Sequence, residues 1–211
     1  MNDNRDYKYE VKSKTHRDEY HIIEGWITRG SRVIDLGCGD GSLLQLLQNK
    51  EVSGEGIEIS RSAVKSCLEK ELKVKQGRID IPLSFKNKEF DFAICNVTIQ
   101  MVMYPEVLIS EMKRISKMQI ISFPNFAFIL NRLDLLLYGR MPRVMIPGYS
   151  WYSTGHIHQF SIKDFMDFCK LHNLKITKSH FLVPRKINFF PQALIRPLSN
   201  IISTTVIFLT K

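Results

Sequence analysis

The sequence predicts an α/β protein with a mostly parallel, doubly wound sheet and helices on both of its faces. Three observations support this class: strand-like and helix-like segments alternate along the chain, a glycine-rich turn follows the first strand, and residues 90–96 are almost continuously apolar. A strand that is covered on both faces lacks polar alternation, and strands that alternate with helices form parallel sheets. Such sheets bind ligands at the carboxyl ends of their strands, so we look for a site there.

Each predicted strand is a short apolar or β-branched run bounded by turn residues. The predicted strands cover residues 33–36, 53–59, 73–77, 90–96, 118–123, 174–183 and 204–211. The predicted helices have apolar residues at helical spacing, and two have start signals, because Ser60 can cap one helix and Pro105 opens another. These helices cover residues 16–27, 42–49, 60–70, a segment that begins at 105, and 164–172.

Length and composition predict one domain with additional segments. The chain has 211 residues, of which 44% are hydrophobic, and this is enough for one substantial core. We expect residues 1–15 to form a flexible N-terminal arm and residues 16–211 to form a single domain. Two segments, 124–160 and 184–200, fall outside the alternation of strands and helices, so we expect them to be insertions or lids.

Cysteine spacing and charge indicate the setting of the protein. The four cysteines are far apart and include no Cys-x-x-Cys pair, which disfavours a disulfide framework and a zinc site. Reduced thiols, a charged N-terminus without an apolar stretch and the absence of a bilayer-spanning run predict a cytoplasmic protein. The formal net charge of +9 favours anionic partners, so nucleic acid stays open as a ligand without being favoured.

The stretch VIDLGCGDGSLL places three glycines between the first strand and the second helix. Gly37, Gly39 and Gly41 follow Gly-x-Gly-x-Gly spacing, which differs from the Gly-x-Gly-x-x-Gly of dinucleotide sites. Glu58 ends the second strand, where a carboxylate can accept hydrogen bonds from ribose hydroxyls. Asp35 ends the first strand, where it would repel a pyrophosphate and attract an ammonium or a sulfonium. Together these residues favour S-adenosylmethionine over NAD.

The same residues carry a family resemblance. VIDLGCGDGSLL resembles motif I of class I S-adenosylmethionine-dependent methyltransferases, and the chain from 17 to about 181 resembles the MetW family of methionine-biosynthesis proteins. The resemblance rests on RDEYHIIEGWI before GSRVIDLGCGDG, then on GEGIEI, FDFAICNVTIQMV, ISFPNFAF, GRMP and WYSTGHIHQFSIKDF. It implies a Rossmann-like class I methyltransferase fold, a seven-stranded sheet with an antiparallel last strand, and a pocket for S-adenosylmethionine.

The resemblance also implies where the parts of the cofactor would lie. The methionine moiety would pass close to Gly37 and Gly39, and Glu58 would bind the ribose. Ile59 would pack on the adenine, and Asn96 would lie beneath the cofactor.

The adenine end departs from the family pattern. Ile79 would line the adenine pocket, but Arg78 stands where similar methyltransferases usually carry an acid. An arginine cannot accept a hydrogen bond from the adenine amino group. Recognition of that group would therefore fall to backbone groups or to Asp80.

Candidate substrate-side residues lie in segments that we expect to overhang the cofactor. They are Gln100, Asn125, Tyr149, Tyr152, His156 and His158. Methyl transfer is an in-line displacement that chiefly requires positioning, and it needs a base only when the acceptor is protonated. His156 and His158 are two residues apart and could share a metal, but no third ligand is evident, so we predict no metal site.

Two segments carry apolar residues that the sheet does not account for. The first has five apolar residues at helical spacing: Phe126, Ile129, Leu130, Leu133 and Leu137. It is predicted to be a lid or a helix packed on the domain, with a docking surface as the alternative. The second, residues 184–200, is basic and apolar and is predicted to be a loop between the last two strands. Its alternative is contact with an acidic lipid surface or a partner.

Three functions stay open from the sequence. The favoured one is an S-adenosylmethionine-dependent methyltransferase with a small-molecule acceptor. The second is a non-catalytic S-adenosylmethionine-binding protein that acts beside a homoserine O-acyltransferase in methionine biosynthesis, as the resemblance implies. The third, a nucleic-acid methyltransferase, is supported only by charge, and the NVTIQ segment lacks the Asn-Pro-Pro-Tyr-like pattern of base-directed enzymes. A homodimer and a hetero-complex are both open.

Overall fold

A computed structural model of the chain describes residues 17–142, 151, 154–187 and 190–211. Its strands are β1 Arg32–Leu36, β2 Ser53–Glu58, β3 Val74–Gln76, β4 Phe90–Asn96, β5 Ser116–Pro124, β6 Ile176–Leu182 and β7 Thr205–Thr210. They form one sheet in the order β3-β2-β1-β4-β5-β7-β6. Strands β1 to β5 pair in parallel, and β7 pairs antiparallel with β5 and β6. The predicted mostly parallel sheet with an antiparallel last strand is confirmed.

The helices are α1 Asp18–Trp26, α2 Ser42–Gln48, α3 Arg61–Glu69, α4 Pro105–Ile115, α5 Ile129–Tyr138, α6 Ile162–Leu171, α7 Gln192–Ile195 and α8 Ser199–Ile202. The Ser60 hydroxyl accepts from the backbone N–H of Ala63, so it caps α3 as predicted. Helix α6 begins two residues before its predicted start, because Ser161 and Asp164 form a capping box that fixes its first turn.

The helices cover both faces of the sheet. Val33 and Ile34 are consecutive residues of β1 and point to opposite faces. Val33 packs in a cluster with Ile23 of α1 and Leu43 of α2. Ile34 packs in a second cluster, which contains Leu108 of α4 together with side chains of α6. This arrangement confirms the predicted helices on both faces and leaves the carboxyl ends of the strands as the edge for a site.

The two segments outside the alternation have structure of their own. Residues 184–200 connect β6 to β7, as predicted, and this connection contains short helices that were not predicted: α7, two 3-10 helices at Arg185–Ile187 and Arg196–Leu198, and the start of α8. These helices have only three or four residues each, which is too short for an apolar period to be recognised. The helix suggested by the apolar spacing after β5 is α5. The predicted N-terminal arm, 1–15, lies outside the described residues.

In the part of the chain that the structure covers, no helix is both long enough and apolar enough to cross a bilayer. All four cysteines lie in that part, are buried and are free thiols. Cys38 and Cys67 belong to one small cluster with Leu44 and Leu72, which packs α3 beside the glycine turn. These cysteines therefore act as small apolar side chains of the core.

Candidate functional site

The turn after β1 is built on glycines that hold left-handed backbone conformations. The φ angles of Gly37, Gly39 and Gly41 are 85°, 55° and 76°. The N–H of Gly37 donates to the carbonyl of Ile57 over 2.8 Å, which ties the turn to β2. A Cβ atom built on Gly37 would lie 2.5 Å from Cγ2 of Thr98. The turn therefore tolerates only glycine there, both for its φ angle and for lack of space.

Glu58 joins this turn to the start of α3. Its Oε2 accepts from the N–H of Gly39 over 2.8 Å, and its Oε1 accepts from the N–H groups of Ile59 and Ser60 over 2.8 and 2.9 Å. A carboxylate has about four acceptor positions, so three of them are in use. The remaining capacity suits about one hydroxyl of a ribose, and the side chain is otherwise buried.

Asp35 is a buried carboxyl group with an unmet hydrogen-bonding position. Its Oδ1 is buried and has no hydrogen-bond partner. Burial raises the pKa of Asp35 to about 7, the nearby Glu58 carboxylate adds to the rise, and Arg17 opposes it. Burial also raises the pKa of the Tyr20 phenol on α1, and the charge of Asp35 contributes to that rise. Such a carboxyl fits a cationic ligand, because a cation would supply the missing partner and favour ionisation.

The carboxyl end of β4 closes the site from beside β1. Oδ1 of Asn96 accepts from the hydroxyl of Ser122 over 2.5 Å. Val97 follows with a φ angle of 56°, although it is β-branched. A β-branched residue in the left-handed region is strained, and this conformation leads into Thr98, which lies against Gly37. Val97 and Thr98 are site residues that the sequence did not reveal.

Where the family resemblance would place the adenine, Arg78 and Asp80 form a bidentate ion pair, with both N–H···O distances at 2.9 Å. Oδ2 of Asp80 also accepts from the N–H groups of Met103 and Tyr104 over 2.9 and 3.2 Å. The Arg78 guanidinium lies 6.0 Å from the centroid of the Tyr104 ring. Because the acceptor positions of Asp80 are taken, backbone groups remain the better candidates for reading the adenine amino group.

The two isoleucines that the family pattern assigns to adenine are placed differently. Ile59 is 39% exposed immediately after β2, so its side chain is available to a flat ring. Ile79 is 6% exposed and packs in the main core cluster with Leu36 and Ile57. Ile79 therefore supports the wall of the site more than it presents a surface.

Gln100, a predicted substrate-side residue, lies after the carboxyl end of β4 in a short 3-10 helix, Ile99–Met101. Its backbone carbonyl accepts from the N–H groups of Ile157 and His158 over 2.9 and 3.0 Å, so the described part of the long connection passes directly over it. Its amide nitrogen donates to the carbonyl of Pro124 over 3.2 Å. Its Oε1 is buried and has no hydrogen-bond partner.

The two candidate histidines lie in that connection. The Nε2 atom of His158 is buried without a hydrogen-bond partner, and Nδ1 of His156 lies 2.8 Å from the hydroxyl of Thr154. Tyr149 and Tyr152 lie outside the described residues. Within the described ranges, no group of three or more His, Cys, Asp or Glu side chains is arranged to hold a metal ion.

Asn125 is 1% exposed and has a structural role after β5. Its amide nitrogen donates to the carbonyls of Asn200 and Ser203 over 3.2 and 2.9 Å. Its Oδ1 accepts from the N–H groups of Ala127 and Ile162 over 3.2 and 3.3 Å. These bonds use both ends of the amide, so Asn125 fastens the start of the long connection to α6 and α8 and has little left to offer a substrate.

Asn125→Ala is expected to lower the free energy of unfolding by about 2–4 kcal/mol, because it leaves buried backbone groups unpaired. Urea denaturation followed by circular dichroism measures this change. Asn87→Ala is the matched control, since Asn87 is exposed and accepts one bond from Arg114. If Asn125→Ala unfolded like the native chain but bound ligand poorly, Asn125 would be a substrate-binding residue and not a structural one.

The sheet order and the glycine turn between two carboxylates define the fold of a class I S-adenosylmethionine-dependent methyltransferase. Known structures agree with this fold. A methyltransferase of Mesorhizobium loti matches with a TM-score of 0.66 and 14% identity, over 94% of this chain and 99% of that chain. One of Thermotoga maritima matches with a TM-score of 0.64 and 17% identity, over 92% and 86%. At these identities the likeness shows the fold alone.

The chain belongs to the MetW family, because the family model described as methionine biosynthesis protein MetW matches residues 17–210. A curated relative from Rhodopirellula baltica is described as a bifunctional methionine biosynthesis protein MetXA/MetW. It is 31% identical over an alignment of 177 residues, and the match covers 78% of this chain and 28% of the relative. The chain therefore spans less than a third of the length of the curated relative that it matches.

Proposed function

We propose that this chain binds S-adenosylmethionine at the carboxyl ends of β1 and β2 and transfers its methyl group to a small-molecule acceptor. The observation that best supports this proposal is the buried, unpartnered Oδ1 of Asp35 beside a turn that only glycine can form. A buried acceptor without a partner is costly unless a ligand satisfies it. An anionic pyrophosphate would increase the free-energy cost of burying this carboxylate, whereas a cationic ligand would offset that cost.

The described residues divide the binding task among them. Asp35 faces the cationic methionine end, and the glycine turn lets the ligand approach the main chain closely. Glu58 takes a ribose hydroxyl in its remaining acceptor position, and Ile59 packs on the adenine. S-adenosylmethionine, when bound, supplies a methyl group on a positively charged sulfur.

The acceptor side is formed by the segment that passes over Gln100. The unpartnered Oε1 of Gln100 and Nε2 of His158 are the polar groups there that a small acceptor would satisfy. These residues orient the acceptor and exclude water, which is most of what an in-line displacement requires of a protein. His158 takes a proton only if the acceptor carries one at working pH.

Glu58→Ala is expected to weaken binding of S-adenosylmethionine and of S-adenosylhomocysteine about 10- to 100-fold, because one charge-assisted hydrogen bond and the anchor of Gly39 are lost. Titration calorimetry measures both affinities. Glu69→Ala is the control, since Glu69 lies on α3 in an exposed pair with Lys65. If neither compound binds the native chain, the proposal fails. Transfer of labelled methyl groups to a metabolite extract tests the catalytic half separately.

A second candidate function is favoured by one observation, namely that the Rhodopirellula baltica relative carries MetXA and MetW in one chain. In this alternative the chain binds S-adenosylmethionine without turnover and acts beside a homoserine O-acyltransferase. S-adenosylmethionine is made from methionine, so its binding would couple supply to demand through the reciprocal linkage of two sites. A change in the acyltransferase rate on adding this protein, with no methyl transfer, would support it.

A further inference from the structure

Helix α5 is apolar around most of its circumference and is exposed. Leu136 and Leu137 are 78% and 65% exposed, and Tyr138 is 65% exposed. The buried residue of the helix is the polar Asn131. A helix that is apolar on all sides is normally enclosed by protein or lipid. The exposed position of α5 therefore indicates that another surface covers it.

The base of α5 is fixed, so the exposed turns form a preformed surface. The amide nitrogen of Asn131 donates to the carbonyl of Phe126 over 3.1 Å. The Arg132 guanidinium donates to the carbonyl of Ala127 over 2.6 Å and reaches the carbonyl of Asn200 at 3.5 Å. A partner would bind this surface without the cost of ordering it.

The contact between Arg132 and Asn200 joins α5 to a second group of exposed apolar residues. Leu194 lies on α7, Leu198 follows it, and Ile201 lies on α8. We name the exposed side chains of α5 and of residues 194–201 the α5/α8 surface. Its ten large apolar side chains are between 37% and 78% exposed, and a cluster of exposed apolar side chains of this kind marks an interaction surface.

The segments that form this surface are basic. Five exposed cationic side chains belong to the same segments of the chain: Arg132, Arg140, Arg185, Lys186 and Arg196. Residues 125–142 and 184–202 contain one acidic residue, Asp134, whose Oδ1 lies 3.6 Å from the Arg140 guanidinium. A complementary partner therefore has an apolar centre with an acidic rim.

We propose that the α5/α8 surface docks a homoserine O-acyltransferase subunit whose contact face is apolar with an acidic rim. This inference rests on the second candidate function. The exposed apolar side chains and the positive charge of the surface suit a protein partner. The relative that holds a MetXA unit and a MetW unit in one molecule identifies which partner to test.

The position of the surface separates docking from cofactor binding. Helix α5 follows the carboxyl end of β5, whereas the glycine turn and Glu58 follow β1 and β2 on the other side of β4 in the sheet. The segment that leads into α5 bonds to the connection that covers Gln100, because the N–H of Phe126 donates to the carbonyl of Phe160 over 3.2 Å. Docking is therefore placed to affect the acceptor side, and substitutions on α5 leave the cofactor residues intact.

The test mixes the purified full chain with the homoserine O-acyltransferase encoded in the same genome and measures their association by sedimentation velocity. Leu136→Asp is expected to weaken association about thirtyfold or more, the loss expected of a residue at the centre of an interface. Leu171→Asp is the matched control, because Leu171 is 77% exposed at the end of α6. It is expected to associate as the native chain does. Both variants are titrated with S-adenosylmethionine to confirm an intact fold.

Each other outcome overturns the docking proposal. The native chain could fail to associate, or Leu136→Asp could associate normally. Alternatively, Leu136→Asp could abolish self-association or binding to phosphatidylglycerol vesicles while the acyltransferase stays unbound, which would assign the surface to a second copy or to lipid. Failure of the cofactor proposal is distinct, because the native chain would then associate with the acyltransferase but bind no S-adenosylmethionine.

Discussion

Gly37→Ala is expected to abolish measurable binding of S-adenosylmethionine and to lower the free energy of unfolding by about 2–5 kcal/mol. The left-handed conformation, with φ at 85°, costs a residue with a Cβ about 1–2 kcal/mol. The new Cβ would also lie 2.5 Å from Cγ2 of Thr98, and overpacking of this kind typically adds about 1–3 kcal/mol. The turn must shift to relieve this clash, and the shift displaces the main chain against which the cofactor would bind. Urea denaturation and titration calorimetry measure the two effects.

Two further variants separate strain from steric conflict. Gly30 has a φ angle of 76° and no atom within 4 Å of its hypothetical Cβ, so Gly30→Ala carries the strain without the clash. It is expected to cost about 1–2 kcal/mol and to bind S-adenosylmethionine normally. Adding Thr98→Ala to Gly37→Ala removes the clashing methyl and is expected to restore part of the affinity. Equal affinities in Gly30→Ala and Gly37→Ala would contradict the assigned role of the turn.

Local sequence patterns could predict most of the fold. Strand β4 has the predicted bounds because a buried central strand is a continuous apolar run with polar neighbours. Helix α6 was placed two residues late, although the Ser161 and Asp164 capping signal is present in the sequence. The short helices α7 and α8 could not be predicted, because four residues make a single turn and carry no period. The bounds of long elements are therefore predictable, whereas those of single turns depend on their packing.

The candidate site could be predicted only where its residues share a motif. Asp35, Glu58 and the glycines follow from spacing and from the strand ends. The contact of Gly37 with Thr98 joins residues that are 61 positions apart in the sequence. The positive φ angle of Val97 could not be predicted from its residue type, because β-branched residues avoid that conformation. Asn125 could be predicted as a candidate because it follows β5, but its structural role could not. Its bonds to Asn200 and Ser203 depend on a distant connection.

The ionisation of Asp35 links ligand binding to stability. In the unfolded chain its carboxyl has the ordinary pKa of 3.8, whereas burial raises the pKa in the folded protein to about 7. Below about pH 4 both states are protonated, and this contribution to stability is fully present. Between those values only the unfolded chain ionises, so the stability of the ligand-free protein falls as pH rises through about 7. A bound cation reverses the shift, so binding below pH 7 releases a proton.

Asp35→Asn is therefore expected to raise the free energy of unfolding of the ligand-free protein at pH 8 by on the order of 4 kcal/mol, with little change at pH 4. The same variant is expected to bind S-adenosylmethionine about 100-fold more weakly, because a neutral amide cannot neutralise the ligand's positive charge. Urea denaturation at pH 4, 6 and 8, together with titration calorimetry, measures both.

The control variant Asp91→Asn is expected to show the opposite sign, since the hydrogen bond from Lys117 holds the pKa of Asp91 below its ordinary value. The ionised form of Asp91 stabilises the folded state, so its removal lowers stability at pH 8 and at pH 6, and the loss becomes smaller only as pH falls below about 4. Asp91 lies at the amino end of β4, away from the glycine turn, so its loss leaves affinity unchanged. If Asp35→Asn lowered stability at pH 8 as Asp91→Asn does, the ionised Asp35 would already be satisfied within the protein. A cationic ligand would then have no unmet carboxylate to bind.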